Sequence, residues 1–325
     1  MNRARVVTLL VLVLLGVAPL LARALDQNYL VPVFTRVVIS GLAALSLNFI
    51  LGYGGLVSFG HAAFLGLGAY TFAILSQHAF NEEAFLGLSA GPWMNQALVV
   101  WPLAMLVSAL FSLLIGVISL RTQGVYFIMI TLAFAQMLYF FFVSLEPYGG
   151  DDGLSLWWGP NTLGPLDLGD RLTMFYVAYS LLVICLFLFW RFVHARFGRV
   201  LRGLKSNELR MRALGYRPLP YRLAAFCIAG AVAGLAGALL GNQTEFVSPN
   251  ILHWSRSGEL LVMVILGGMG SLIGPVLGAG AFLLLEELLI SFTEHWQLFF
   301  GPLLVLIVLF ARRGLAGVLI GSDDD

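Results

Sequence analysis

Few residues in this sequence combine the types and spacing that covalent chemistry requires. Ser58 and His61 stand three positions apart, the nearest approach to a nucleophile and its base. On a helix they would share one face, but Gly60 lies between them and weakens that reading. Asp151 and Asp152 sit among Gly149, Gly150 and Gly153, a turn that lacks the further oxygen ligands of a calcium site. An exposed acidic turn, or a docking contact for a soluble protein, is the simpler reading. Cys185 and Cys227 each lie in an apolar run, so no disulfide framework or metal-type pair is expected. No Gly is followed by Lys, which excludes the Gly-x-x-x-x-Gly-Lys-Ser/Thr phosphate loop. Catalytic residues, cofactors and metals are therefore not expected.

What remains is a set of polar side chains inside long apolar runs, where each needs a partner or a path to line. Asn48, Tyr53, Ser58, Phe59 and His61 surround four glycines between Gly52 and Gly60. Such a density either breaks a helix, offering backbone groups to a solute, or makes a tight turn followed by close helix packing. Tyr126, Thr131 and Gln136 share a second run, where helix–helix hydrogen bonding and solute contact are the alternatives. Glu259 opens a third run, which ends in Gly267, Gly268, Met269, Gly270, Ser271 and Gly274. This last cluster echoes the first and hints at an internal repeat.

The elements that must position these residues are membrane helices. The chain is 60% hydrophobic and 11% charged, with mean hydropathy +0.92, against about 25% charged in soluble domains. The fold class expected is all-α and polytopic, one transmembrane domain over residues 1–325 with about ten spans. The segments are 6–22, 30–51, 61–78, 97–120, 125–144, 172–193, 222–241, 257–273, 275–291 and 297–311. The basic start, apolar run and Ala22-Arg23-Ala24 also follow the grammar of a secretory signal. The many hydrophobic stretches behind it favour an uncleaved first span.

Charge fixes the expected orientation. Residues 191–222 hold nine of the 18 basic residues and one acid, Glu208, so the 194–221 loop should be cytoplasmic. An even span count then puts both termini inside and most acids, Asp151 and Asp152 among them, outside. Within the loop, Ser206 or Asn207 can cap a helix, Gly215 can stop it, and Leu209, Met211 and Leu214 give it an apolar side. A loop that only set topology or bound anionic lipid heads would need none of these; a helix docking a cytoplasmic protein would. The net charge of +1 carries no signal for nucleic acid, and the expected surroundings are membrane lipid.

Leu51–Tyr70, Gly149–Leu154, Gly198–Gly215, Leu266–Pro275 and Phe310–Gly317 together resemble the permease subunit of bacterial ABC importers for branched-chain amino acids, the LivM type. The resemblance runs from Val37 onward in the right order. It implies an inner-membrane subunit working by alternating access on Leu, Ile or Val. Its partners would be a second, related permease, two cytoplasmic ATPases and a periplasmic binding protein. It also implies ATPase coupling through Arg202, Ser206, Glu208, Leu209, Arg212, Ala213, Leu214 and Gly215, with Leu209 standing where many importers have alanine. Asp151 and Asp152 would meet the binding protein. A relative importing urea or short amides is the near alternative. An ion-coupled secondary transporter is the distant one, with Glu259 as its one buried-acid candidate.

Overall fold

The computed structural model describes residues 3–85, 87, 89, 91–292, 295, 298, 300–302 and 314–320. Apolar runs with no water to satisfy their backbone close their hydrogen bonds locally, and the chain is accordingly all-α. Its helices are α1 (Arg3–Ala24), α2 (Leu30–Asn48), α3 (His61–Asn81), α4 (Ala97–Ser119), α5 (Val125–Val143) and α6 (Arg171–His194). There follow α7 (Arg196–Ser206), α8 (Glu208–Ala213), α9 (Pro218–Thr244), α10 (Trp254–Gly267), α11 (Gly274–Phe292) and α12 (Gly314–Ile320). A π-helical turn, Phe49–Tyr53, extends α2.

Helices cover the expected segments from residue 6 to residue 291 except the end of 257–273, while most of 297–311 lies outside the described residues. Six helical stretches among the described residues are long and apolar enough to cross a membrane: Val6–Ala24, Leu30–Tyr53, Ala97–Ser119, Val125–Val143, Arg171–His194 and Pro218–Thr244. The expected span 257–273 is different. The helix there stops at Gly267 after 14 residues, about 21 Å of rise against a hydrocarbon core of roughly 30 Å. The chain then turns through 268–273 and leaves as α11. The expected basic loop is likewise two helices, α7 and α8, with Val200, Leu201 and Leu204 of α7 buried.

α3 and α9 lie at the centre. Gly68 of α3 backs onto the Gly234 carbonyl, and Gly237 of α9 onto that of Leu65. A methyl group at either would overlap the facing backbone, so only glycine allows the two helices this separation. The window of α9 is 67% buried and that of α1 only 11%, which leaves α1 as an outlying helix. Gly314 at the start of α12 packs against the backbone of Gly267 and Gly268.

The acidic side is tied together by a polar cluster. Asn161 donates through its side chain to Asn95 Oδ1 at 2.9 Å, and its backbone N–H reaches Asn242 Oδ1 at 2.7 Å. Asn242 returns a bond to Asn161 Oδ1 at 3.1 Å, and Ser76 donates to Asn95 at 3.0 Å. Beside it the short strands β1 (Leu154–Ser155) and β2 (Phe246–Val247) pair antiparallel. Asp170 caps α6 by accepting from the N–H of Thr173 at 3.0 Å, a bond that holds its carboxyl below the ordinary range.

Candidate functional site

The two glycine clusters meet inside the fold. Asn48, fully buried on α2, donates from Nδ2 to Ser271 O at 2.8 Å and accepts from Gly270 N at 3.0 Å. One carboxamide therefore satisfies both polarities of the 268–273 turn. One helical turn further on, Gly52 faces that turn; a Cβ there would strike Asn48 Oδ1 and the Gly270 backbone.

The first break, 54–60, is fastened from several directions. The N–H of Phe59 donates to Thr131 Oγ1 of α5 at 3.3 Å, and that of Gly60 to Ser58 Oγ at 3.2 Å. Ala62 N reaches Ser257 Oγ of α10 at 2.9 Å. Hydroxyls from α5 and α10 thus take up amide groups at the opening of α3, where a helix has no partners of its own. His61 Nε2 lies 2.7 Å from Ser46 Oγ, whose hydroxyl proton goes to Ala43 O at 2.7 Å. The ring must then donate from Nε2, leaving Nδ1 a buried acceptor without a partner among the described residues. His61 is paired with Ser46 of α2, not with Ser58, so the two residues do not assemble as nucleophile and base.

The end of the π-helical turn is closed from the basic side. Leu56 N bonds Ile50 O at 3.0 Å and Gly55 N bonds Leu51 O at 3.1 Å. The next carbonyl, Gly52 O, accepts from Lys205 Nζ of α7 at 2.6 Å. Arg202 turns back across the α6–α7 corner to Val193 O at 3.3 Å, and Ser206 donates to Arg202 O at 3.1 Å in the last turn of α7. Asn207 caps α8 by accepting from Arg210 N at 2.9 Å, and Gly215 adopts φ +87° beyond its end. Glu208 bonds Arg212 at 2.5 Å, Arg222 of α9 at 2.8 Å and Gln123 of the α4–α5 link at 2.9 Å. Burial raises the Glu208 pKa, but these cations and their hydrogen bonds outweigh it and hold the carboxyl below its ordinary range. The outer surface of α8 keeps Leu209, 80% exposed, with Arg212, Ala213 and Leu214 also exposed.

The other expected site residues are dispersed. Tyr53 is buried beside Phe49, their ring centroids 6.5 Å apart. Tyr126 is 77% exposed. Gln136 buries its amide nitrogen with no hydrogen-bond partner among the described residues. Glu259 pairs with Arg256 at 2.5 Å on the first turns of α10, and Asp151 and Asp152 are exposed. Glu286 meets Arg36 of α2 at 3.6 Å. Sequence reasoning missed Ser46, Lys205, Ser257 and Ser271. The signal was present for the first three: two hydroxyls in apolar helices, and the sole lysine of the chain.

Residues 29–309 match the family model described as branched-chain amino acid transport system / permease component. The chain is similar to the high-affinity branched-chain amino acid transport system permease protein LivM of Salmonella typhimurium, 32% identical over 308 residues, 88% of this chain and 69% of the relative. LivM of Escherichia coli gives the same figures. The probable branched-chain amino acid transport permease protein LivM of Methanocaldococcus jannaschii is 24% identical over 314 residues, 84% of this chain and 89% of the relative. No solved structure matches.

Proposed function

The chain belongs to the permease component family of branched-chain amino acid transport systems, and from that premise we propose that it is a permease subunit of an ATP-driven importer of Leu, Ile and Val. It works by alternating access, as one membrane domain with residues 194–221 as its coupling segment. The meeting of two broken segments at Asn48, next to the basic helices, carries this reading. A solute path needs polar groups free to bind within an otherwise apolar wall, and His61 Nδ1 and Gln136 Nε2 are buried with no hydrogen-bond partner among the described residues. The path residues proposed are Asn48, Tyr53, Ser58, Phe59, His61, Thr131 and Gln136, with Tyr126 and Glu259 at its margins.

The exposed side of α8 supports a docking role for Leu209, Arg212, Ala213, Leu214 and Gly215, the contact on a partner ATPase. Glu208 ties that helix to α9 and to the α4–α5 link, while Arg202 and Ser206 are proposed to act from the preceding helix, α7. Asp151 and Asp152 face a binding protein on the opposite side. A second, related permease completes the pore, the membrane is the bacterial inner membrane, and both termini are cytoplasmic. Phe, Leu and small residues along the central helices suit an aliphatic side chain held weakly enough to leave.

The test is labelled leucine uptake into proteoliposomes holding the chain with its partner ATPases and binding protein. Uptake should require ATP, be competed by isoleucine and valine, and be indifferent to urea. Deleting residues 206–215 should abolish uptake and ATPase association while leaving membrane insertion intact. Uptake in vesicles that lack any ATPase would refute the reading.

A further inference from the structure

The last turn of a helix leaves carbonyls without partners and carries the negative end of its dipole, so a cation placed there is held by both effects. The Phe49–Tyr53 turn ends in this way, and its Gly52 carbonyl is taken by Lys205 at 2.6 Å. Lys205 comes from α7, 153 residues away in sequence. Gly55, at φ +69°, lies against the lysine stem; a Cβ there would stand 3.0 Å from Lys205 Cγ. Space has been left for this side chain.

From Gly52 the contacts continue inward. Gly52 packs on Gly270, and Asn48, one turn earlier, holds Gly270 and Ser271. An unbroken series of contacts therefore runs from α7 through the end of α2 to the 268–273 turn. Glu208 on α8 is tied elsewhere, to Arg222 and Gln123. We infer that Lys205 is the positioning residue through which displacement of the α7–α8 segment reaches the second glycine break. This rests on the function proposed above, since the displacement is the one an ATPase would impose.

The experiment uses the reconstituted complex with Lys205→Met, which keeps the stem and removes the ammonium. ATP hydrolysis and subunit association should stay near wild type, while leucine moved per ATP hydrolysed should fall about tenfold. Lys205→Arg, which keeps a cationic donor, should recover part of that loss. A second readout reports on the turn itself. Met269, 57% exposed beside Gly270, is replaced by Cys in a background with Cys185→Ala and Cys227→Ala. Its labelling rate should differ between ATP-bound and nucleotide-free complexes, and Lys205→Met should erase that difference.

Wild-type leucine-to-ATP stoichiometry in Lys205→Met, or an unchanged labelling response, overturns the inference. So does loss of insertion or of ATPase association in that variant, because the ammonium would then serve assembly. If the wild-type complex moves leucine without ATP, the functional reading fails instead, whatever Lys205 does.

Discussion

The two glycine breaks are written in similar residues and built differently. The first, 54–60, is a fastened node: Thr131 and Ser58 take its amide groups, Ser257 takes that of Ala62 at the opening of α3, and Lys205 closes the turn before it. The second, 268–273, exchanges two hydrogen bonds with Asn48 of another helix and takes packing from Gly314, while Ser271 Oγ accepts from Gly274 N, at the start of α11, at 2.9 Å. Ser58 is fully buried in the first, as is His61 immediately after it; Met269 is exposed in the second. A glycine cluster therefore says where a membrane helix can break. Side chains from other helices decide whether the break is fixed or free to shift.

Substitutions can break or sharpen that contrast. Gly52→Val should have the largest effect, because its side chain would collide with Asn48 and with the Gly270 backbone, prising the two breaks apart. Leucine transport should be lost while the protein still inserts; near-normal transport would mean the contact is dispensable. Asn48→Ala comes next. It leaves Gly270 N–H and Ser271 C=O without their partner, at a cost of about 2 kcal/mol, visible as a lower melting temperature in detergent together with reduced transport. Thr131→Val and Ser257→Ala should cost least, roughly 0.6–1.7 kcal/mol each, since each removes one of several ties to the first break. If either proved harsher than Asn48→Ala, the first break would hang on that single hydroxyl, and its fastening from several directions would be refuted.

Much of this architecture is legible in the sequence, for an identifiable reason. Long apolar runs leave the backbone no option but a helix, so the segments from residue 6 to residue 241 and 275–291 are helical where hydropathy puts them. α3 is a helix as expected although it falls outside the six most apolar stretches, because His61, Gln77, His78 and Asn81 dilute a segment that is otherwise buried in protein. The end of α10 was misplaced. The glycines from Gly267 onward signal a break, but Met269, Leu272 and Ile273 carry the apolar character through it, so hydropathy runs the span to 273 while the helix stops at Gly267. The α8 cap and its Gly215 stop were readable because capping is local. Long-range pairings were not: His61 looked toward Ser58 in sequence and found Ser46, and nothing near Lys205 announces Gly52.

The asparagine cluster on the acidic side has a mechanical consequence. Asn161, Asn242, Asn95 and Ser76 bind α3, α9 and two connecting loops into one crosslinked patch. At the other rim Glu208 ties α8 to α9 and to the α4–α5 link, and Lys205 ties α7 to the end of the π-helical turn. Under the alternating access proposed above, the side-chain crosslinks among Asn161, Asn242, Asn95 and Ser76 would make the acidic rim the fulcrum, and the α7–α8 rim would take the travel.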